Sequence, residues 1–322
     1  MRESNIFFKI ANFQTYKLTI ILLIISQLVL FSCKSLVKEI DPSILPQTDS
    51  KLVVACFISP QDTVLSAKVT ETKVLIGSTG DIRNDIENAT VKLSDGVKTV
   101  QLVYSKDLGY YRVLPKELPI IVGKTYSIEV STPDGRKVNA TTTVPNNVPI
   151  KEIKVDSSLN TSGFGVNQVV NTSYTVKVIW QDIANATNFY RALSVFDIIY
   201  NITDPKNTKN IIQSLISTIV DLRTLDDKDT DGQLLSLSRD YQPNNVGMNI
   251  QGNQKESGKR LDKIRVGLFQ TDINYYNYHT SLRKQRENNN PFAEPVLLFT
   301  NINGGFGCFG AYNATWQDAK LK

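Results

Sequence analysis

The sequence predicts a mostly β protein in two successive sandwich-like domains, the second carrying one helix. Three observations predict it. From Asp49 onward, short apolar-alternating segments rich in Val, Thr and Ile are separated by turn residues. The stretch 144–149 (VPNNVP) then breaks that ladder as a stiff linker does. Helical spacing recurs only at 272–287, where Tyr275, Tyr276, His279 and Leu282 follow at intervals of three and four.

Taken in order, Leu52–Ile58 has enough Val, Phe and Ile to read as a strand buried on both faces. Residues 63–74 and 89–93 alternate, and Asp95-Gly96 forms a hairpin turn because both residues tolerate positive φ. Segments 100–104 and 110–114 are the next pair. Segment 124–131 puts Tyr126, Ile128 and Val130 on one face, Asp134-Gly135 makes a second hairpin, and 138–144 completes the set. About seven strands in about 95 residues describe a two-sheet sandwich of immunoglobulin-like or transthyretin-like type over residues 49–145. After a linker at 146–155, the second domain (156–322) is β-rich, with strands expected at 174–180, 188–199, 211–222, 233–238 and 263–270. Asp272 is placed to cap a helix near 272–287. Residues 292–301 and the glycine-rich 304–316 return to strand-like sequence, with Gly304-Gly305-Phe306-Gly307 expected to kink or bulge its strand.

The N-terminus carries a different signal. Arg2, Lys9 and Lys17 make a basic leader, followed by about 14 largely apolar residues at 18–31, the length of a signal-peptide core and short of a bilayer span. The run ends in Leu30-Phe31-Ser32-Cys33, the pattern of a bacterial lipobox. The expectation is a signal peptide over 1–32, a lipid on Cys33, and a tether over 33–48 leading to the first strand. Lys34, in place of an Asp, permits sorting to the outer membrane. Processing would lower the formal charge from +5 to about +3, with charges scattered and no basic block, so nucleic acid is not an expected partner.

Few residues could carry chemistry. Asp227-Lys228-Asp229-Thr230-Asp231-Gly232 places three carboxylates at alternate positions before a glycine, as a calcium loop does. The twelfth position is Ser238 rather than a bidentate Glu, so the alternative is an acidic hairpin tip turning at Asp231-Gly232, with Asp226 the nearest further ligand. No other cofactor is expected. Cys56 and Cys308 would be free to pair in an oxidising compartment, or each could be a small buried hydrophobe. His279, the single histidine, falls among Tyr275, Tyr276 and Tyr278, which suits packing or a surface position.

Four blocks carry a resemblance over nearly the whole mature chain. They are Lys51 through Ser59 with Asp62-Thr63; Ile86 through Gly96; Gly123-Lys124-Thr125-Tyr126 through Pro133-Asp134-Gly135 to Val144-Pro145; and an ordered last block. That block runs Tyr278-His279, Asn290 through Pro295, Asn301-Ile302, then Gly305 through Tyr312. In these the chain resembles a family of Bacteroidota outer-membrane lipoproteins known by a domain of unknown function (number 4249). It departs from the family at Cys56 and Cys308, where the resemblance implies Gly and a Val-like residue. The resemblance also implies a non-catalytic accessory or binding protein, lipid-anchored at the outer membrane beside a TonB-dependent β-barrel receptor. An adhesive or structural lipoprotein is the alternative. A glycan-acting hydrolase would need two marked carboxylates, and nothing singles out a pair such as Glu287 and Glu294.

Overall fold

Alternation along the first strand decides how the N-terminal half packs. In β1 (Leu52–Ile58), Leu52, Val54, Cys56 and Ile58 are fully buried while the residues between them are half-buried, so one face is core and the other is only partly covered. The same period of two runs through β2 (Leu65–Glu71), β3 (Thr90–Ser94), β4 (Thr99–Ser105), β5 (Tyr110–Val113), β6 (Thr125–Ser131) and β7 (Lys137–Thr143). Their inward residues form one core, including Val54, Leu65, Leu93, Leu102, Tyr126 and Ile128. Each such side chain contributes roughly 1.5–3 kcal/mol by leaving water. Both expected hairpins are present: Gly96 and Gly135 have φ of +87° and +91°. The buried tyrosines satisfy their hydroxyls, Tyr111 donating to Ile86 O (2.7 Å) and Tyr126 to Pro119 O (2.7 Å).

The computed structural model describes residues 49–72, 84–162, 169–204, 207–243, 255–288, 294 and 296–320. The leader, Cys33, the tether 33–48 and the Gly163-Phe164-Gly165 cluster lie outside them. No helix among the described residues is long and apolar enough to cross a membrane.

The second half is built from longer strands: β8 (Ile150–Ser162), β9 (Val169–Gln181), β10 (Phe189–Asp204), β11 (Asn207–Asp226), β12 (Leu234–Tyr241) and β13 (Lys255–Thr271). Then come α1 (Ile273–Glu287) and the last strand, β14 (Phe306–Asp318). Strands β12, β9 and β8 form a three-stranded sheet. It faces the β11-β10-β13 region of the large sheet across a second core that includes Trp180, Tyr190, Phe196, Leu222 and Val266. Residues 150–155, expected within the linker, belong to β8, where Ile153 and Val155 pair with Val178 and Val176 of β9. Residues 296–301, expected as a strand, are irregular.

The large sheet has eleven strands in the order β11-β10-β13-β14-β1-β2-β5-β4-β3-β6-β7. Its continuity depends on β14. Residues 306–311 run parallel to β1, and residues 312–318 run antiparallel to β13. Phe309 and Ala311 enter the first core. The chain's last strand therefore returns to the N-terminal sandwich, and Ser50–Lys73 with Asp81–Lys322 form one compact unit.

Candidate functional site

The acidic loop connects β11 to β12, and its three alternate carboxylates do not converge. Thr230 N donates to Asp227 O (2.7 Å), and Gly232 turns the chain at φ +66°. Asp227 points inward and is 2% exposed, accepting from Asn188 N (2.9 Å) and Nδ2 (3.0 Å). Asp229 stays on the exposed side of the turn. The carboxylate that joins Asp227 and Asp231 is Asp182, at the end of β9, and the oxygens of these three come within 4.8 Å of one another. The turn directs Asp229 outward, and a strand end distant in sequence supplies the third group of this cluster. Asp226, the further ligand considered, instead accepts from Tyr276 Oη (2.7 Å).

Each clustered carboxylate already has protein donors. Asp182 accepts from Tyr190 Oη (2.5 Å) and Gly232 N (2.7 Å), and Asp231 accepts from Asn185 N (2.9 Å). Asn188 joins the two loops, since its Nδ2 also donates to Ile183 O and its Oδ1 accepts from Gln270 Nε2 (2.7 Å). Asp182, Asp227 and Asp231 are the residues that could hold a metal here, and a calcium ion would have to compete with these donors for the same oxygens.

A larger feature lies where α1 crosses the end of the β10-β11 ladder. Asp272 caps the helix, accepting from Tyr275 N (2.8 Å), and also accepts from Ala311 N (3.2 Å) and Thr142 Oγ1, which fixes α1 to β14 and β7. On β10, Arg191 reaches both partners. Its Nη2 and Nε bracket the Asp221 carboxylate (3.0 and 3.4 Å), and its Nη1 donates to Tyr275 Oη (2.8 Å) and His279 Nδ1 (3.1 Å). A guanidinium has only donors, so His279 Nδ1 is the acceptor and carries no proton. Burial and then the Arg191 charge push the imidazole pKa down to about 3. Phe57, Tyr275 and Tyr278 pack around the ring at centroid distances of 4.2 to 5.5 Å.

Between the C-terminal half of α1, β11 and the end of β12 opens a groove of about 640 Å³. Arg191 and His279 line it at one side, and Arg239, Arg283 and Arg286 line it elsewhere. Arg239 Nη1 donates to Asp221 O (2.9 Å). Arg283 Nε is buried without a hydrogen-bond partner, a state that costs about 1–3 kcal/mol when nothing accepts. Such a surface can offer guanidinium forks to an anion. The sequence reading missed it: only the Arg283–Arg286 spacing is local, while Arg191 and Arg239 arrive from separate strands.

Cys56 and Cys308 are both free and buried. In the parallel β1–β14 register Ala55 faces Cys308 and Cys56 faces Phe309. Neighbouring strand positions point to opposite faces, so Cys56 enters the first core while Cys308 turns towards α1, where its Sγ lies 3.5 Å from Asn274 O. The two thiols considered for pairing are therefore on opposite faces of one sheet. Burial raises both well above the ordinary thiol range.

The glycines of β14 have a geometric reason. At Gly307 φ is +106°, and a Cβ there would lie 2.0 Å from Val54 O; at Gly310 it would meet the Tyr275 backbone at 3.1 Å. Asn301 clamps the strand through Phe309, with Nδ2 donating to O (2.8 Å) and Oδ1 accepting from N (3.0 Å). Tyr312 Oη donates to Asp62 at the β1–β2 turn (2.9 Å). The model of a family described as a domain of unknown function (DUF4249) matches residues 37–318. The chain belongs to that family. No curated protein matches it. Of the last resembling block, Tyr278, His279, Asn301 and Gly305–Tyr312 meet at one place, where β14 pairs with β1 and packs against α1. Residues 290–293 and 295 of that block lie outside the described residues.

Proposed function

We propose that this DUF4249 protein is a lipid-anchored binding or accessory component of the outer membrane, working with a β-barrel receptor of the TonB-dependent type. The observation that carries the reading is Leu30-Phe31-Ser32-Cys33, placed at the end of a basic leader and a signal-length apolar run, just before the family-matched body begins at residue 37. Several acyl chains on Cys33, each CH₂ worth about 0.8 kcal/mol on burial, would hold the body at the bilayer. A folded β body with loops at sandwich ends and an open, arginine-lined groove suits recognition of a partner or a transported solute. The test is affinity purification of the tagged protein from native membranes in mild detergent, with mass spectrometry of what accompanies it. A stoichiometric β-barrel is the expected companion. Purification without any barrel, from membranes in which candidate receptors are expressed, contradicts the accessory role and favours an adhesive or structural lipoprotein.

A further inference from the structure

We infer that the groove between α1, β11 and the end of β12 is a binding site for a small molecule bearing a phosphate or sulfate group. The first ground is an imbalance of partners. Asp221 is occupied by the Arg191 fork and by Arg223 N (3.1 Å), and Asp240 accepts from Thr175 Oγ1 (2.6 Å). Among the described residues, Arg239, Arg283 and Arg286 have no carboxylate oxygen within 4.0 Å. Three guanidiniums from two elements thus border one groove without an ionic partner, and two lining carboxylates, Asp240 and Glu287, pair with none of them.

The second ground is Arg283 itself. Its Nε is buried and has nothing to donate to, and the residue lines the groove. The Arg283 guanidinium is thus not committed to any protein acceptor, and an oxyanion's several oxygens match planar guanidinium forks better than a single acceptor could. Helix-end electrostatics do not explain the arrangement. Lys284 and Arg286 in the last turn both complement the helix dipole, yet Lys284 is not part of the lining, whereas Arg283 and Arg286, three apart, share the face that Arg239 meets from another strand. The third ground is size. About 640 Å³ exceeds what a bare ion needs and falls in the range of small-molecule sites, so the anion is expected to be an ester on a larger body.

The inference deepens the binding role proposed above and rests on it only for the source of the ligand. The experiment is calorimetric titration of the full chain, in non-ionic detergent at low ionic strength. The probes are glucose 6-phosphate, glucose 6-sulfate and glycerol 3-phosphate, with glucose as the neutral control. Saturable one-to-one binding of at least one ester and none of glucose is expected. Arg283→Met, Arg286→Gln and Arg239→Gln should each weaken binding tenfold or more, and Lys284→Gln should leave it within twofold. Arg239 and Arg286 are exposed, so their variants keep the test decisive if Arg283→Met unfolds. Tighter binding of glycerol 3-phosphate than of the sugar esters would assign a lipid head group as the source, and the reverse a sugar ester. No saturable binding of any ester, or equal weakening by Lys284→Gln, overturns the inference. Neither result touches the barrel co-purification, so the two readings fail separately.

Discussion

Single residues in this protein carry contacts that can be tested one at a time. His279 is the chain's one histidine, so its titration can be followed without ambiguity by NMR. Its folded pKa of about 3 lies below the ordinary 6.5, so the unfolded chain binds the extra proton between those values. The stability this provides is complete above pH 6.5 and is lost as pH falls towards 3, on the order of a few kcal/mol in all. Arg191→Met should move the His279 pKa upward and destabilise the fold by about 2–3 kcal/mol, since charge-assisted hydrogen bonds to Asp221 are lost. Asp62 has the opposite sign. Burial raises it from 3.8 to about 6 despite its bonds from Tyr312 Oη and Ser59 N, so its contribution is fully present below pH 3.8 and lost as pH rises through 6. Asp62→Asn should flatten the decline in melting temperature across that interval, and an unchanged profile would count against the assignment. Gly307→Ala forces a Cβ against Val54 O at a positive φ, and a loss of about 3 kcal/mol or failure to fold is expected in thermal melts.

At the scale of elements, what was legible in the sequence depended on whether its cause was local. Period-two alternation and Asp-Gly turns placed the seven strands of the N-terminal half. Asp272 and the spacing of Tyr275, Tyr276, His279 and Leu282 marked α1 within a residue of its observed start. Strand β8 was hidden because the prolines of 144–149 suggested a linker that would run on to 155, and the alternation from Ile150 was absorbed into it. The acidic loop was found as a turn, but its third clustered carboxylate is Asp182, brought by β9 pairing with β12, and no local pattern contains that information. The clustered oxygens already accept N–H or O–H groups, so a chelator is expected to leave the melting temperature unchanged; a marked fall with EDTA, reversed by calcium, would show a bound ion. The cysteines teach the same lesson through register. Their spacing permits pairing, and only the Ala55–Cys308 alignment puts them on opposite faces. Both should resist a thiol reagent in the native protein and react after unfolding, and Cys308→Val should change stability by less than about 1.5 kcal/mol.

For the whole molecule, β14 is the connection that composition and periodicity could not supply, because β1, the partner of its first half, lies near the opposite end of the chain. Its first half completes the core of the N-terminal sandwich and its second half extends the β13 ladder. Two independent domains would unfold separately. A shared strand couples them, so in a Trp316→Phe chain the fluorescence of Trp180, which reports the second core, should change at the same denaturant concentration as the far-ultraviolet dichroism of the whole. The groove belongs to that coupled body, since α1 is held by β14 and β7 through Asp272 and by β10 through Arg191. A tether at Cys33 would present all of it at the membrane. The most direct test of this account is the mass of the N-terminal peptide, measured alongside membrane fractionation of the wild type and the Cys33→Ala chain. The account requires a mature protein beginning at an acylated Cys33, found with the outer membrane, and loss of that modification in Cys33→Ala. A wild-type chain that begins elsewhere, or carries an unmodified Cys33 thiol, would contradict it.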